Sequence, residues 1–389
     1  MSMEIDSQST TAALDLTAGA PKIINQLFQH AGIQLNGNQP WDMQVHDTIF
    51  FQKMFSKWEL GIGESYMDGD WDCDRLDEFF FRICSHDLEQ TVHGPAKIMF
   101  GLEILRQKFF NLQSRSRAFQ VGEQHYDIGN DLFEKMLDSS MMYSCGYWPN
   151  ASNIEEAQQH KLDLICRKLE LKPGERLLDI GCGWGGLARY AAQNYQVEVV
   201  GITISKEQQK LAQERCAGLP VKIELTDYRQ LTGQFDKVVS VGMIEHVGAK
   251  NYPVYFDVVR KLLTPEGLFL LHTIGNYETE MKRDVWLDTY IFPNGHLPSA
   301  KELASVLENR FLIEDWHNFG RDYDLTLMAW WENFDRAWPT LKDKYGERFY
   351  RMWKYFLLSS AGFFRSGQGQ LWQIVLSKRG RIQPYRSVR

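Results

Sequence analysis

The clearest chemistry in the chain sits at Leu177-Leu178-Asp179-Ile180-Gly181-Cys182-Gly183-Trp184-Gly185-Gly186, where an apolar run carrying one acid breaks into four glycines. Asp179 can accept from an ammonium or a backbone N–H. Gly181 and Gly183 let the backbone turn with positive φ and let a ligand come closer than any Cβ would permit. The run reads as a buried parallel strand, and residues 187–192 resume at helical period. The loop between them is a small-molecule cradle.

A P-loop would need Gly-Lys-Ser/Thr, which is absent, so the cradle suits either a dinucleotide or S-adenosyl-L-methionine (SAM). The spacing D-x-G-x-G-x-G resembles the SAM loop of class I methyltransferases and favours the second. In doubly wound folds the ligand lies across the carboxyl ends of the strands. No acid for ribose hydroxyls follows the second strand, where Gly201-Ile202-Thr203-Ile204-Ser205 stands; Thr203 and Gln208 can supply neutral hydrogen bonds instead. After the third strand, Asp227 can take the adenine amino group and Tyr228 can pack on the ring.

Taken alone, His272 reads as a core histidine and Cys145 as a small buried hydrophobe without a His/Asn partner motif. His125, Asp127 and Asp131 have carboxylate and imidazole groups, but their spacing matches no metal motif, and no metal is expected.

The elements that must position these residues follow from periodicity. Ser152-Asn153-Ile154-Glu155 is a capping-box pattern opening a helix through Leu169. Strands are predicted over 197–202, 221–225, 238–241 and 268–273, with helices starting near Ser205, Asn251 and Ser299, which sums to a Rossmann-like doubly wound α/β sheet. Ahead of it, residues 1–20 read as disordered and 21–120 as a mainly helical domain; the catalytic domain is placed at 121–389. Residues 60–71 read as a structural turn. Residues 93–119, basic and apolar, suit either a helix in a lipid headgroup layer or a linker helix docked on the next domain. The terminal cluster Lys378, Arg379, Arg381, Arg386 and Arg389 reads as a solvated tail.

Forty-three basic against fifty acidic residues give a formal charge of -7, which argues against nucleic acid as the main partner. The six cysteines form no C-x-x-C pair, and no basic-then-apolar leader opens the chain, as expected for reduced thiols in the cytoplasm.

These segments together resemble the cyclopropane-fatty-acyl-phospholipid synthases and, more distantly, the mycolic acid cyclopropane synthases. The likeness is carried by His125-Tyr126-Asp127-Ile128-Gly129-Asn130, Tyr143-Ser144-Cys145-Gly146-Tyr147-Trp148, the glycine loop, Gly201-Ile202-Thr203-Ile204-Ser205, Gly242-Met243-Ile244-Glu245-His246, Leu270-Leu271-His272-Thr273-Ile274 and Asp315-Trp316-His317-Asn318-Phe319-Gly320. The resemblance implies a class I SAM-dependent methyltransferase fold and transfer of the SAM methyl carbon to a cis double bond of a phospholipid acyl chain, giving a cyclopropane. It places Tyr126, Tyr143 and Ser144 over the methionine end of SAM and explains Thr203 and Gln208 at the ribose. It also implies a bound bicarbonate as base, held by Cys145, Glu245, His272, Tyr323 and the N–H of Ile274, with Glu245 accepting the bicarbonate O–H.

A homodimer working peripherally at the inner face of a phospholipid membrane completes the expectation. Two rivals stay open: a lipid methyltransferase giving a branched or hydroxylated chain, and a non-catalytic lipid- or SAM-binding protein. The chemistry needs a dry pocket with aromatic faces for a carbocation, for which Tyr143, Tyr147, Trp148, Tyr290, Phe292 and Tyr323 are candidates.

Overall fold

The computed structural model describes residues 22–57, 59–86, 129–279 and 284–389. The basic stretch 93–119, the 120/121 boundary and the motif residues His125, Tyr126 and Asp127 lie outside the described residues. The N-terminal part runs α1 (Lys22–His30), β1 (Gln44–Val45), α2 (Ile49–Lys57), α3 (Glu59–Asp68), β2 (Trp71–Asp72) and α4 (Leu76–Ser85).

The expectation of a turn at 60–71 is overturned, because most of it is α3. Its glycines serve close approach rather than chain reversal. A Cβ on Gly61 would lie 2.1 Å from the Lys53 carbonyl oxygen, and one on Gly63 would lie 2.3 Å from Trp286 Cδ1. Trp286 is fully buried and cannot yield. Gly63→Ala is therefore expected to destabilise the protein by about 1–3 kcal/mol through overpacking, despite alanine's roughly 1 kcal/mol advantage as a helix former. Urea unfolding checks this, and an unchanged midpoint would refute it.

From residue 129 onward the chain adds α5 (Asn130–Met136), α6 (Ile154–Lys168), β3 (Arg176–Ile180), α7 (Gly186–Tyr195), β4 (Glu198–Thr203), α8 (Lys206–Arg215), β5 (Val221–Leu225), β6 (Phe235–Val241), α9 (Tyr252–Leu262), β7 (Leu263–Asn276), α10 (Val285–Tyr290), α11 (Ala300–Leu307), β8 (Leu312–Asn318), α12 (Asp322–Ala337), α13 (Lys342–Tyr345), α14 (Glu347–Ser366) and β9 (Gly369–Ser377). Helix α6 is capped one residue later than the sequence pattern suggests. Asn153 accepts from the Glu156 N–H, while the Ser152 amide and hydroxyl both donate to the Glu156 carboxylate.

Seven strands form one sheet in the order β5-β4-β3-β6-β7-β9-β8. The first five are parallel, and β9 runs antiparallel to both β7 and β8. Strands β3, β6 and β7 are apolar on both faces, as helix-covered parallel strands must be. Leu178, Val238 and Phe269 face α9 and α11, whereas Leu177, Val239 and Leu270 face α6 and α7.

A third core joins α1–α4 to α12 and α14, and reaches Cys145, Trp184 and Tyr323. Arg365 on α14 ties these layers, donating to Asp77 of α4 at 2.8 Å and to both carboxylate oxygens of Asp324 at 2.8 and 2.9 Å. The terminal basic cluster is not simply solvated. Arg381 donates to Glu170 and its side chain is 3% exposed, while Arg389 forks onto Asp315, which also pairs with the buried Lys168.

Candidate active site at the carboxyl ends of the central strands

Strand β3 delivers Asp179 and then turns at once. Gly181, Gly183 and Gly185 all have positive φ, at 83°, 53° and 81°, and a Cβ on Gly181 would lie 2.9 Å from Met243 Cγ. Asp179 is 2% exposed, and its Oδ2 has no hydrogen-bond partner. Burial pushes its carboxyl up to about 7 against the pull of nearby Lys161. An unpaired buried carboxylate oxygen above a glycine loop is suited to an ammonium group brought in by a ligand.

Lys161 is not among the residues the sequence singles out. It projects from α6, is fully buried, and donates to Ser144 Oγ at 2.8 Å. The neighbouring Gln158 donates to the Ser144 carbonyl at 2.8 Å. The available signal was positional, since Ala157, Lys161, Leu164 and Lys168 fall on the inward stripe of α6.

At the second and third strand ends the expected residues gather, with one change of emphasis. Thr203 Oγ1 donates to Gln208 Oε1 at 2.9 Å, and Ser205 caps α8, so the two neutral groups act as a pair. Asp227, expected to take an adenine amino group, has its carboxylate gripped by Arg229 Nε and Nη2 at 2.8 and 2.6 Å. That grip holds it below the usual carboxylate range. Tyr228 packs edge-on against Tyr255 at 5.3 Å.

Strand ends β6 and β7 build the polar corner. Glu245, 6% exposed on the 3₁₀ turn after β6, accepts the Ile274 N–H on Oε1 at 2.8 Å. Its Oε2 is buried without a partner, and burial raises its carboxyl. The Ile274 amide, expected to donate to an anion, is thus donated to the glutamate here.

His272 is 1% exposed, and its Nε2 likewise lacks a partner. Burial, reinforced by the charges of Lys161 and Lys168, pushes it well below the ordinary histidine value, so the ring is neutral. Gln373, whose position pairs with His272 across β7 and β9, places Nε2 3.3 Å from Nδ1. With Nδ1 accepting from that amide, the ring proton sits on Nε2 and is available to donate.

Cys145 is fully buried 3.8 Å from Thr326 Oγ1 of α12, and burial drives its thiol far up, so it is a weak donor and not a nucleophile. Tyr323, on α12, is 9% exposed and also stays protonated. Of the aromatic candidates, Tyr143 lies 5.2 Å from Trp330, which lies 6.1 Å from Tyr323; Tyr323 in turn lies 4.4 Å from Phe364. Tyr147 packs on Phe319, which also touches His272. Trp148 donates to Thr326. Tyr290 and Phe292 turn elsewhere, toward Trp286 and Glu64 and toward Phe356.

The strand order with its antiparallel β9, the glycine loop after β3 and the buried polar residues near the strand ends define a class I SAM-dependent methyltransferase. Residues 113–374 match the family "Mycolic acid cyclopropane synthetase". A cyclopropane-fatty-acyl-phospholipid synthase of Escherichia coli K12 is 57% identical over 357 residues, spanning 92% of this chain and 93% of that protein. The solved cyclopropane synthase MmaA2 of Mycobacterium tuberculosis is 31% identical and superposes with a TM-score of 0.63, covering 67% of this chain and 98% of its own. The mycolic acid cyclopropane synthase CmaA1, solved with SAH and CTAB, gives 0.62 at 31% identity and the same coverage. The chain belongs to the mycolic acid cyclopropane synthetase family and is a SAM-dependent transferase of lipid biosynthesis.

Proposed function

We propose that the enzyme transfers the methyl carbon of SAM to the cis double bond of an unsaturated phospholipid acyl chain and closes a cyclopropane ring, with bound bicarbonate as the base. The observation that carries this reading is a set of three buried, unpartnered polar atoms on or just after the neighbouring strands β3, β6 and β7: Asp179 Oδ2, Glu245 Oε2 and His272 Nε2. The first suits the ammonium of SAM. The other two, with the Tyr323 hydroxyl, suit a small oxyanion carrying one proton.

Each residue then has a physical task. Asp179, Ser144, Thr203, Gln208 and the loop at Gly181 and Gly183 hold SAM, with Tyr126 and Tyr143 over its methionine end and Asp227 and Tyr228 at the adenine. Holding the alkene in line with the sulfonium methyl contributes about 7–11 kcal/mol by orientation. The near-complete burial of Cys145, Glu245, His272 and Tyr323 excludes water that would quench the cation. The faces of Tyr143, Trp330 and Tyr323 stabilise that cation by about 0.5–2 kcal/mol. His272 and Tyr323 donate to an oxyanion, and Glu245 accepts its O–H. Bound bicarbonate supplies the acceptor for the proton lost from the delivered methyl.

The enzyme is proposed to act as a homodimer at the inner face of a phospholipid membrane; among the described residues no helix is long and apolar enough to cross one. The test is incubation of the protein with SAM and vesicles of unsaturated phospholipid, with and without bicarbonate depletion. A gain of one CH₂ with loss of the alkene signal, falling on depletion, is expected. A methyl branch or hydroxyl would refute ring closure, and product formation indifferent to bicarbonate would refute the base.

A further inference from the structure

Lys161 is a fully buried ammonium-bearing side chain whose one hydrogen bond among the described residues runs to Ser144 Oγ at 2.8 Å. It is faced by Asp138 from the turn before Ser139, by Cys145 beside Ser144, by Asp179 at the end of β3 and by His272 of β7. Asp138 is already committed, accepting the Ser140 and Met142 amides. Asp179 Oδ2 is not. An ammonium has donors and no acceptor, so the bond fixes Ser144 Oγ as the acceptor and obliges the serine to aim its own O–H away. Gln158 holds the same residue from its backbone, donating to the Ser144 carbonyl.

We infer that Lys161 is a positioning residue that sets Ser144 as a hydrogen-bond donor, and adds positive charge behind it, for the carboxylate of the methionine moiety of SAM. Asp179 and Ser144 then divide the two charges of that amino acid, carboxylate against ammonium and hydroxyl donor against carboxylate. The inference rests on the proposed SAM site. Burial lowers the Lys161 ammonium to about 8. Above that pH a neutral amine can accept the Ser144 O–H, turning the serine proton away from the ligand.

The test compares S-adenosylhomocysteine with methylthioadenosine, which keeps the adenosine and thioether but lacks the amino-acid end, by titration calorimetry. Lys161→Gln is expected to weaken S-adenosylhomocysteine about 10- to 100-fold, the scale of a hydrogen bond involving a charged group, with methylthioadenosine within about twofold. In a Ser144→Ala background the same substitution is expected to add less than about threefold. Should Lys161→Gln fail to fold, the unsubstituted protein decides. Its preference for S-adenosylhomocysteine is expected to fall above pH about 8 more steeply than that of Ser144→Ala, which retains the ligand's own titration. Equal weakening of both ligands, full additivity with Ser144→Ala, or parallel pH profiles would each overturn the inference. Failure of the unsubstituted protein to bind S-adenosylhomocysteine would sink the SAM-site reading itself.

Discussion

Glu245→Ala is expected to slow cyclopropane formation by about 10²–10⁴-fold, the range for a group that places an acid or base, while leaving S-adenosylhomocysteine affinity within about threefold. The two effects separate because Glu245 stands after β6 and bonds to Ile274 of β7, whereas the glycine loop hangs from β3. Glu245→Gln is the sharper variant. Its amide oxygen can still take the Ile274 N–H, but the second position becomes a donor where Oε2 now stands unpartnered. If Glu245 accepts the O–H of an incoming anion, glutamine presents the wrong polarity and costs nearly as much as alanine. Burial raises this carboxyl, so an anion beside it must share one proton with it, and the glutamine variant reads which of the two carries that proton. Glutamine activity within about threefold of the unsubstituted rate would show instead that Glu245 works as a neutral donor. Single-turnover product formation and ligand titration, run side by side, make the distinction.

Local patterns carried much of the site. The run from Leu177 into four glycines specified a strand, a turn with positive φ and a helix, because each is dictated by residues within ten positions. The β4 and β5 ends were legible for the same reason, and the helix starts near Ser205 and Ser299, read from periodicity, are capped by those serines in the structure. Gln373 was not legible, since its place beside His272 exists only when β9 pairs with β7 across about a hundred residues; nothing near either residue encodes that register. Thr326 reached Cys145 and Gly146 by a similar long-range path. Gly61 and Gly63 misled because turn residues and close-packing residues are the same type, and only the partner, Trp286, distinguishes them. Arg381 and Arg389 misled because the acids that receive them, Glu170 and Asp315, lie far away in sequence. Lys161 was visible in principle, as a charge on the apolar stripe of α6, a placement that costs too much to be left unpartnered.

Asp179→Asn is expected to move function and stability in opposite directions. The folded-state carboxyl titrates at about 7 against 3.8 for the free side chain. Between those values the native state holds a proton that the unfolded chain has released, so stability falls as pH rises, and above pH 7 the full cost is present. Three units correspond to roughly 4 kcal/mol at most, and the asparagine variant escapes it. Ligand-free Asp179→Asn is therefore expected to melt at or above the unsubstituted protein at pH 8, with the gap closing toward pH 5. Binding runs the other way. An ammonium entering the site needs the ionised carboxylate, and losing that partner costs about 2–5 kcal/mol, or about 30-fold or more in S-adenosylhomocysteine affinity. The same proton sets the expected pH dependence of binding. Below pH about 7 the unsubstituted protein must release it to bind, so affinity is expected to weaken by up to about tenfold per unit, whereas the asparagine variant is flat. Paired melting and calorimetry from pH 5 to 8 read both signs. A lower melting temperature for Asp179→Asn at pH 8, or an unchanged affinity, would show that Asp179 supports the fold of the loop rather than waiting for a charge.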